Sequence, residues 1–348
     1  MEQNNMRINN LFFIGLVIFI YFSGCAQRKN FEPKQVDGSV IFNHFLKSEL
    51  EWTSRSGAML KNGEVITQNG KTLLRLKNKA KIVNETNEFY IIAKDCQHIE
   101  IINKNTQETK KFDIPACLVA ANIRDNFLAF VLRDNSYGII DIMEKKSVFN
   151  DKGASIIAVN SLIANPVFLD TNVVFPMLDG QLVVTSLKDM KVQRVVIVNS
   201  DQFFSNVIFL QSQDSKILTA TQKKVMTLAD GKTFSYEANI KDVKFYQGHY
   251  YVLTLEGKIV ELDTTMRVLN EVELPFALLS GIVIAEDKLF TMERQGYLIE
   301  LDLKDFSYKT YFLQNILGKV LGNGIVFYDN KRIYYDKYYL DFSRDWKK

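Results

Sequence analysis

Short apolar runs recur at a steady spacing, glycine and polar turns punctuate them, and aromatic residues are plentiful, with 25 Phe and 15 Tyr. Together these predict an all-β chain folded as a β-propeller, with eight blades and seven as the alternative, built from degenerate repeats of about 35–43 residues. The repeating unit is an apolar strand, a polar or glycine turn, a second apolar strand often closed by Asp, another turn and a third strand. Clear copies are Val173–Val184, Tyr250–Asp263 and Lys288–Asp302. Turns fall near residues 70, 97, 136, 180, 223, 257, 296 and 331. The apolar stretches are short and bounded by Gly, Asp or Asn, and helical spacing is not sustained past the N-terminus.

The elements follow in chain order. Leu11–Phe22 is an apolar run of 12 residues preceded by Arg7. A spanning helix needs about 20 residues and a signal core roughly 7–15, so residues 1–24 read as a cleaved signal. Phe22-Ser23-Gly24-Cys25 resembles a bacterial lipobox, in which a small pair precedes a cysteine that carries diacylglycerol. Phe22 replaces the usual Leu but is equally apolar. Cys25 is therefore the expected lipidation site. The other reading is an ordinary signal with an incidental cysteine. Several acyl chains on one residue anchor a protein stably, where a single chain does so marginally. In diderm bacteria Ala26, rather than Asp, favours the outer membrane; the periplasmic side is the expected placement, with the cell surface as the alternative. Residues 25–37 are polar and read as a lipidated tether, and residues 38–348 as one propeller domain.

Ring closure falls to a strand within Gly38–Leu50 that pairs into the last blade. The Tyr-rich segment Ile333–Phe342 supplies that blade's other strands, and its aromatics are expected to pack between blades. One short helical turn within Val40–Leu50 is the only helical expectation beyond the signal.

The formal net charge is +3, which gives no nucleic-acid footprint. With Cys25 lipidated, Cys96 and Cys117 remain. An oxidising compartment permits a bridge between them, and two buried free thiols are the alternative. His44, His98 and His249 lie in separate units without metal-ligand spacing. Gly322-Asn323-Gly324 reads as a tight turn rather than a phosphate loop. No catalytic, cofactor or metal residue is assigned.

Gly257–Asp263 and Gly296–Asp302 share a Gly-x-apolar-x-x-apolar-Asp core that resembles the repeat of quinoprotein-like (PQQ-repeat) propellers. Gly180–Leu187 is a looser copy, with Ser186 near the acidic position. Among lipoproteins the repeat is similar to the BamB family, eight-bladed scaffolds of the outer-membrane β-barrel assembly machine. The family's Thr-Gly and Trp continuation is absent after Asp263 and Asp302. Only Trp52 and Trp346 occur in the chain, so Phe, Tyr and Leu must make the blade contacts. The resemblance implies a membrane-anchored, non-enzymatic scaffold whose partners are proteins of the outer-membrane assembly machinery. A surface lipoprotein that binds a host or matrix ligand is one alternative, and a quinone- or metal-dependent propeller enzyme is another.

Overall fold

The computed structural model describes residues 29–77, 80–201, 203–314, 324–343 and 346–347. The signal segment, Cys25 and the 322–323 part of the expected glycine turn lie outside the described residues.

Eight small antiparallel sheets follow one another round a ring, which is an eight-bladed β-propeller. Blade 1 is Leu50–Thr53, Gly57–Leu60, Glu64–Thr67 and Gly70–Arg75. Blades 2 to 6 occupy 81–113, 118–152, 167–197, 209–237 and 240–273, four strands each, and blades 7 and 8 are built on 283–313 and 326–341. Strands a to d run from the axis outward. Each unit has this order because its two middle strands are apolar on both faces. Gly57–Leu60 and Glu64–Thr67, for example, are buried at every position. Strands that bury both faces need a sheet on either side, which stacking in a ring supplies.

Strands from the two ends of the chain share the last two blades. In blade 8, His44–Phe45 is the outer strand, with His44 opposite Tyr339 and Phe45 opposite Tyr338. Gly38–Val40 adds a fifth, parallel strand to the outside of blade 7, along Tyr311–Leu313. The closing strand thus matches the expectation, and the Tyr-rich segment supplies the two middle strands, but the innermost strand, Val326–Tyr328, precedes that segment. The helical turn expected within Val40–Leu50 is absent: its backbone groups go to strand pairing and to bonds such as Leu46 N–H to Lys337 O at 2.7 Å. Residues 29–37, expected as tether, lie against the ring. Phe31 is buried, its ring edge-on to Tyr297 at 5.7 Å, and Asp37 bonds Thr310 through both backbone and side chain.

The apolar core divides into eight clusters, one per blade interface. Aromatic and aliphatic residues fill them in place of a tryptophan girdle. Between blades 7 and 8, Phe290 stacks on Phe342 at 4.0 Å, with Trp346 edge-on to both. Tyr334, Tyr335, Leu340 and Phe342 of the Tyr-rich end are buried in these clusters.

One hydrogen bond recurs in all eight blades. The residue ending strand d donates its N–H to a carbonyl in the b–c turn: Leu76 to Gly63, Ile114 to Gln97, Gly153 to Asn135, Val198 to Gly180, Ala238 to Lys223, Leu274 to Gly257, Leu313 to Gly296 and Leu46 to Lys337. This bond fixes the repeat register. It corrects two expected turn positions: the first equivalent turn is at Gly63 rather than 70, and the last at Lys337 rather than 331. Gly63, Gly180 and Gly257 have φ near +85°, and a Cβ on any of them would run into a backbone carbonyl oxygen. The repeat's Asp caps the following c–d turn. Asp263 Oδ1 accepts the Thr265 and Arg267 N–H groups at 2.8 and 3.1 Å, and Asp302 Oδ1 accepts Lys304 N–H at 2.9 Å. Ser186 does the same for Lys188 and Asp189 through its hydroxyl, so it is a working substitute in the looser repeat.

Candidate binding site on the propeller axis

The first strand of each blade faces the axis, so the polar residues on these strands converge there. They line a cavity of about 790 Å³ to which all eight blades contribute. Four a strands begin with a β-bulge, which re-aims the next side chains toward the neighbouring blade. Asn84 donates to Ala121 O at 3.0 Å, and Asn122 donates to Pro166 O at 2.9 Å. Asp242 accepts Ile282 N–H at 3.3 Å. Each polar side chain therefore satisfies a backbone group of the adjacent blade and holds the inner ring together. Asn206 reaches Leu162 O in the same manner, at 2.8 Å.

The charged part of the cavity is built round Arg55. Arg55 of blade 1 donates Nη1 to Asp242 Oδ1 at 2.9 Å and Nη2 to Val243 O at 2.8 Å, both in blade 6. The same guanidinium lies 5.6 Å from the Phe209 ring centre in blade 5. Lys244 Nζ reaches Asn330 Oδ1 at 2.9 Å. Burial, and then the Arg55 charge, push the Lys244 ammonium below its usual range, while Asp242 opposes them. Asn165 Nδ2 meets Ser56 Oγ at 2.7 Å, Gln68 Nε2 donates to the Arg55 and Tyr328 carbonyls, and Ser280 pairs with the Tyr328 hydroxyl. Such a mouth can donate and accept hydrogen bonds from amides, hydroxyls and carboxylates.

The residues singled out in the sequence do not meet here. Cys25 lies outside the described residues. Cys96 and Cys117 are paired as a disulfide that joins the b–c turn of blade 2 to the start of blade 3. His44 stacks on Tyr339, His98 pairs with Asp95 and His249 with Glu261, each in a different blade. Among the described residues no group of three or more His, Cys, Asp or Glu side chains is placed to hold a metal. The axial Asn and Asp residues escaped sequence reading. Their only signal is one amide or carboxylate early in strand a, as in Val83-Asn84, Ala121-Asn122 and Ile240-Lys241-Asp242.

No family model matches the chain. The plasminogen-binding protein PgbB of Helicobacter pylori strain J99 is 36% identical, over 97% of this chain and 72% of that protein. In fold the chain is similar to BamB from Moraxella catarrhalis, with a TM-score of 0.63 and 14% identity over 84% of this chain and 94% of that one. It is also similar to the C-terminal WD40 domain of Sif2, with a TM-score of 0.64 and 12% identity over 86% of this chain and 97% of that one. At such identities these two likenesses concern the fold alone. The PgbB relationship runs through nearly the whole chain at a level that fixes descent, and on that basis this protein belongs to the family of Helicobacter pylori PgbB.

Proposed function

We propose that this protein is a lipid-anchored, non-enzymatic propeller that binds a protein ligand at the bacterial surface, with plasminogen the first ligand to test. The observation that carries this reading is the 36% identity to a plasminogen-binding protein over 97% of the chain. The ring's geometry supports it. Strands held on both sides give a stiff platform, and the amide-rich axial mouth offers donors and acceptors to a partner's backbone and side chains. Lipidation at Cys25 supplies the attachment.

The test is titration of plasminogen over the immobilised full-length mature protein. Saturable binding supports the reading, and no binding above an unrelated propeller rejects plasminogen as the ligand. Protease digestion of intact cells reports the side of the membrane: a surface protein is cut without permeabilisation, and a periplasmic one is protected.

The fold likeness to BamB favours a second reading, a periplasmic scaffold in outer-membrane protein assembly. Here the partner is a component of the assembly machinery, docked on an exposed outer strand or on a ring face. Co-purification of such a component from solubilised membranes, together with protease protection, selects this reading over the first.

A further inference from the structure

In every blade the b–c turn and the d–a connector lie at one end of the strands, and the a–b and c–d turns lie at the other. The two ends of the ring differ in charge and in apolar exposure. Among the described residues, the b–c turns and connectors expose seven cations, among them Lys61, Arg133, Arg294 and Lys337, against four carboxylates, Glu49, Asp95, Asp201 and Glu256. The a–b and c–d turns together expose ten carboxylates, among them Glu88, Asp125, Asp170 and Glu286, against five cations. The connectors spanning 153–166 and 274–282 contain no charged residue at all.

Apolar side chains stand out from the cationic end. Ile157 is 68% exposed, Phe203 56% and Phe276 53%, with Phe204 and Leu255 close behind. Phe203 and Phe204 are tied to Ile157's connector by the Ala158–Phe203 bridge and by Phe204 N–H to Ala158 O at 3.1 Å. Phe276 and Leu255 belong to blades 6 and 7, a quarter of the way round the ring. At the turn faces of the other end only Met143 is comparably exposed among the described residues. Phe204 and Phe276 also have left-handed backbones, with φ of +54° and +67°. Bulky residues rarely adopt that conformation, and here it serves to hold two phenyl rings in solvent.

The N-terminal segment arrives at this same end. Lys29 Nζ lies 5.6 Å from the Phe276 ring centre, and Asn30 accepts a bond from Gln295 in the b–c turn of blade 7 at 3.1 Å. Lys29 is four residues past Cys25, too short a separation to carry the anchor to the opposite end of the ring.

We propose that this end of the propeller rests on the bilayer, with Phe203, Phe204 and Ile157 forming one contact, Phe276 and Leu255 a second, and the anchor beside the second. Apolar residues within a cationic surface match the lipid interface, where rings enter the acyl boundary and Lys and Arg meet anionic headgroups. The acidic a–b end then faces away from the membrane and toward a ligand. This orientation rests on the anchoring reading for the position of Cys25, whereas the exposed apolar residues are independent of it.

The test uses tryptophan placed at Phe204, at Phe276, and, as a control on the outer edge of blade 1, at fully exposed Leu73. The full mature protein is reconstituted in vesicles of phosphatidylcholine and phosphatidylglycerol that carry brominated chains. The added emission of Phe204→Trp and Phe276→Trp is expected to fall at least about threefold more than that of Leu73→Trp. Equal quenching at the three sites overturns the proposal, because the face is then covered by something other than lipid. Phe204→Gly with Phe276→Gly relieves the two left-handed backbones, so it should hold or raise the melting temperature while weakening vesicle partitioning of the unacylated chain by about tenfold. Mass spectrometry of the N-terminus separates the two readings. If Cys25 is unacylated, the anchoring reading fails, and the same variants mixed with vesicles still report the face. If Cys25 is acylated and quenching is equal, the face proposal fails alone.

Discussion

Replacing Asp242 by Ala removes one carboxylate that carries three contacts at the axis: Arg55 Nη1 at 2.9 Å, Val243 N–H at 2.8 Å and Ile282 N–H at 3.3 Å. What remains is a guanidinium and an ammonium, Arg55 and Lys244, sharing one partly buried mouth with no anion between them. Two unit charges about 4 Å apart interact by about 4 kcal/mol at an effective dielectric constant near 20. Both partners of the pair keep some solvent contact, so screening lowers the usable part to about 2 kcal/mol. Loss of the Ile282 contact adds up to about 1 kcal/mol. Asp242→Ala is therefore expected to lower the unfolding free energy by about 2–3 kcal/mol. Asp242→Asn keeps two acceptor bonds and should cost about half as much. Arg55→Met placed in the Asp242→Ala background should recover about 1 kcal/mol, since it removes the unpaired charge. The assay is equilibrium urea unfolding of the parent, Asp242→Ala, Arg55→Met and the double variant, read as a double-mutant cycle on the midpoint and slope, with Asp242→Asn measured beside them. A coupling energy below about 0.3 kcal/mol, with Asp242→Ala within about 0.5 kcal/mol of the parent, would refute the view that this pair braces blade 1 against blade 6.

Four further outcomes are expected. Gly180→Ala and Gly257→Ala add a Cβ against a backbone oxygen at positive φ and should cost at least about 2 kcal/mol, whereas Gly231→Ala and Gly248→Ala, with open space around them, should cost about 1 kcal/mol or less by urea titration. Reduction of Cys96–Cys117, or replacement of both by Ser, should cost about 3 kcal/mol, and intact-mass analysis with and without reductant checks that the bridge is present. Phe31→Ala should cost about 3 kcal/mol if that residue belongs to the core, and almost nothing if residues 29–37 are a free tether. Lys244 is depressed below its ordinary value of 10.5 by burial and by Arg55. Its charged form therefore opposes folding below the folded pKa, and stability rises as pH climbs from that value toward 10.5. Lys244→Met should raise stability by about 1 kcal/mol at pH 7 and flatten that rise in thermal melts.

Much of the ring was legible because strand c carries its own punctuation. A glycine with positive φ opens it and an Asp that caps the next turn closes it, so Gly257–Asp263 and Gly296–Asp302 stand out in the bare sequence. The first blade misled for a physical reason. Asn62-Gly63 and Asn69-Gly70 flank the same strand, both suit a tight turn, and only the backbone bond from Leu76 tells which is the b–c turn. In the last blade Asn330-Lys331 and Asp336-Lys337 bracket a Tyr-rich strand in the same manner, and neither has glycine to mark it. The axial site was illegible because its residues come one per blade from positions far apart in sequence, as with Arg55 and Asp242. Single polar residues in a strand look like ordinary pleat alternation until the ring brings them together. The packed course of residues 29–37 was hidden likewise, since a polar stretch with one Phe gives no sign that the Phe finds Tyr297.

The most direct measurement of the account is a cross-linked pull-down of the full-length protein from intact cells exposed to plasminogen, read by quantitative mass spectrometry. A surface-bound, ligand-binding propeller predicts plasminogen as the dominant cross-linked partner, lost when excess unlabelled plasminogen competes. Recovery of outer-membrane assembly components with no plasminogen above background would contradict it.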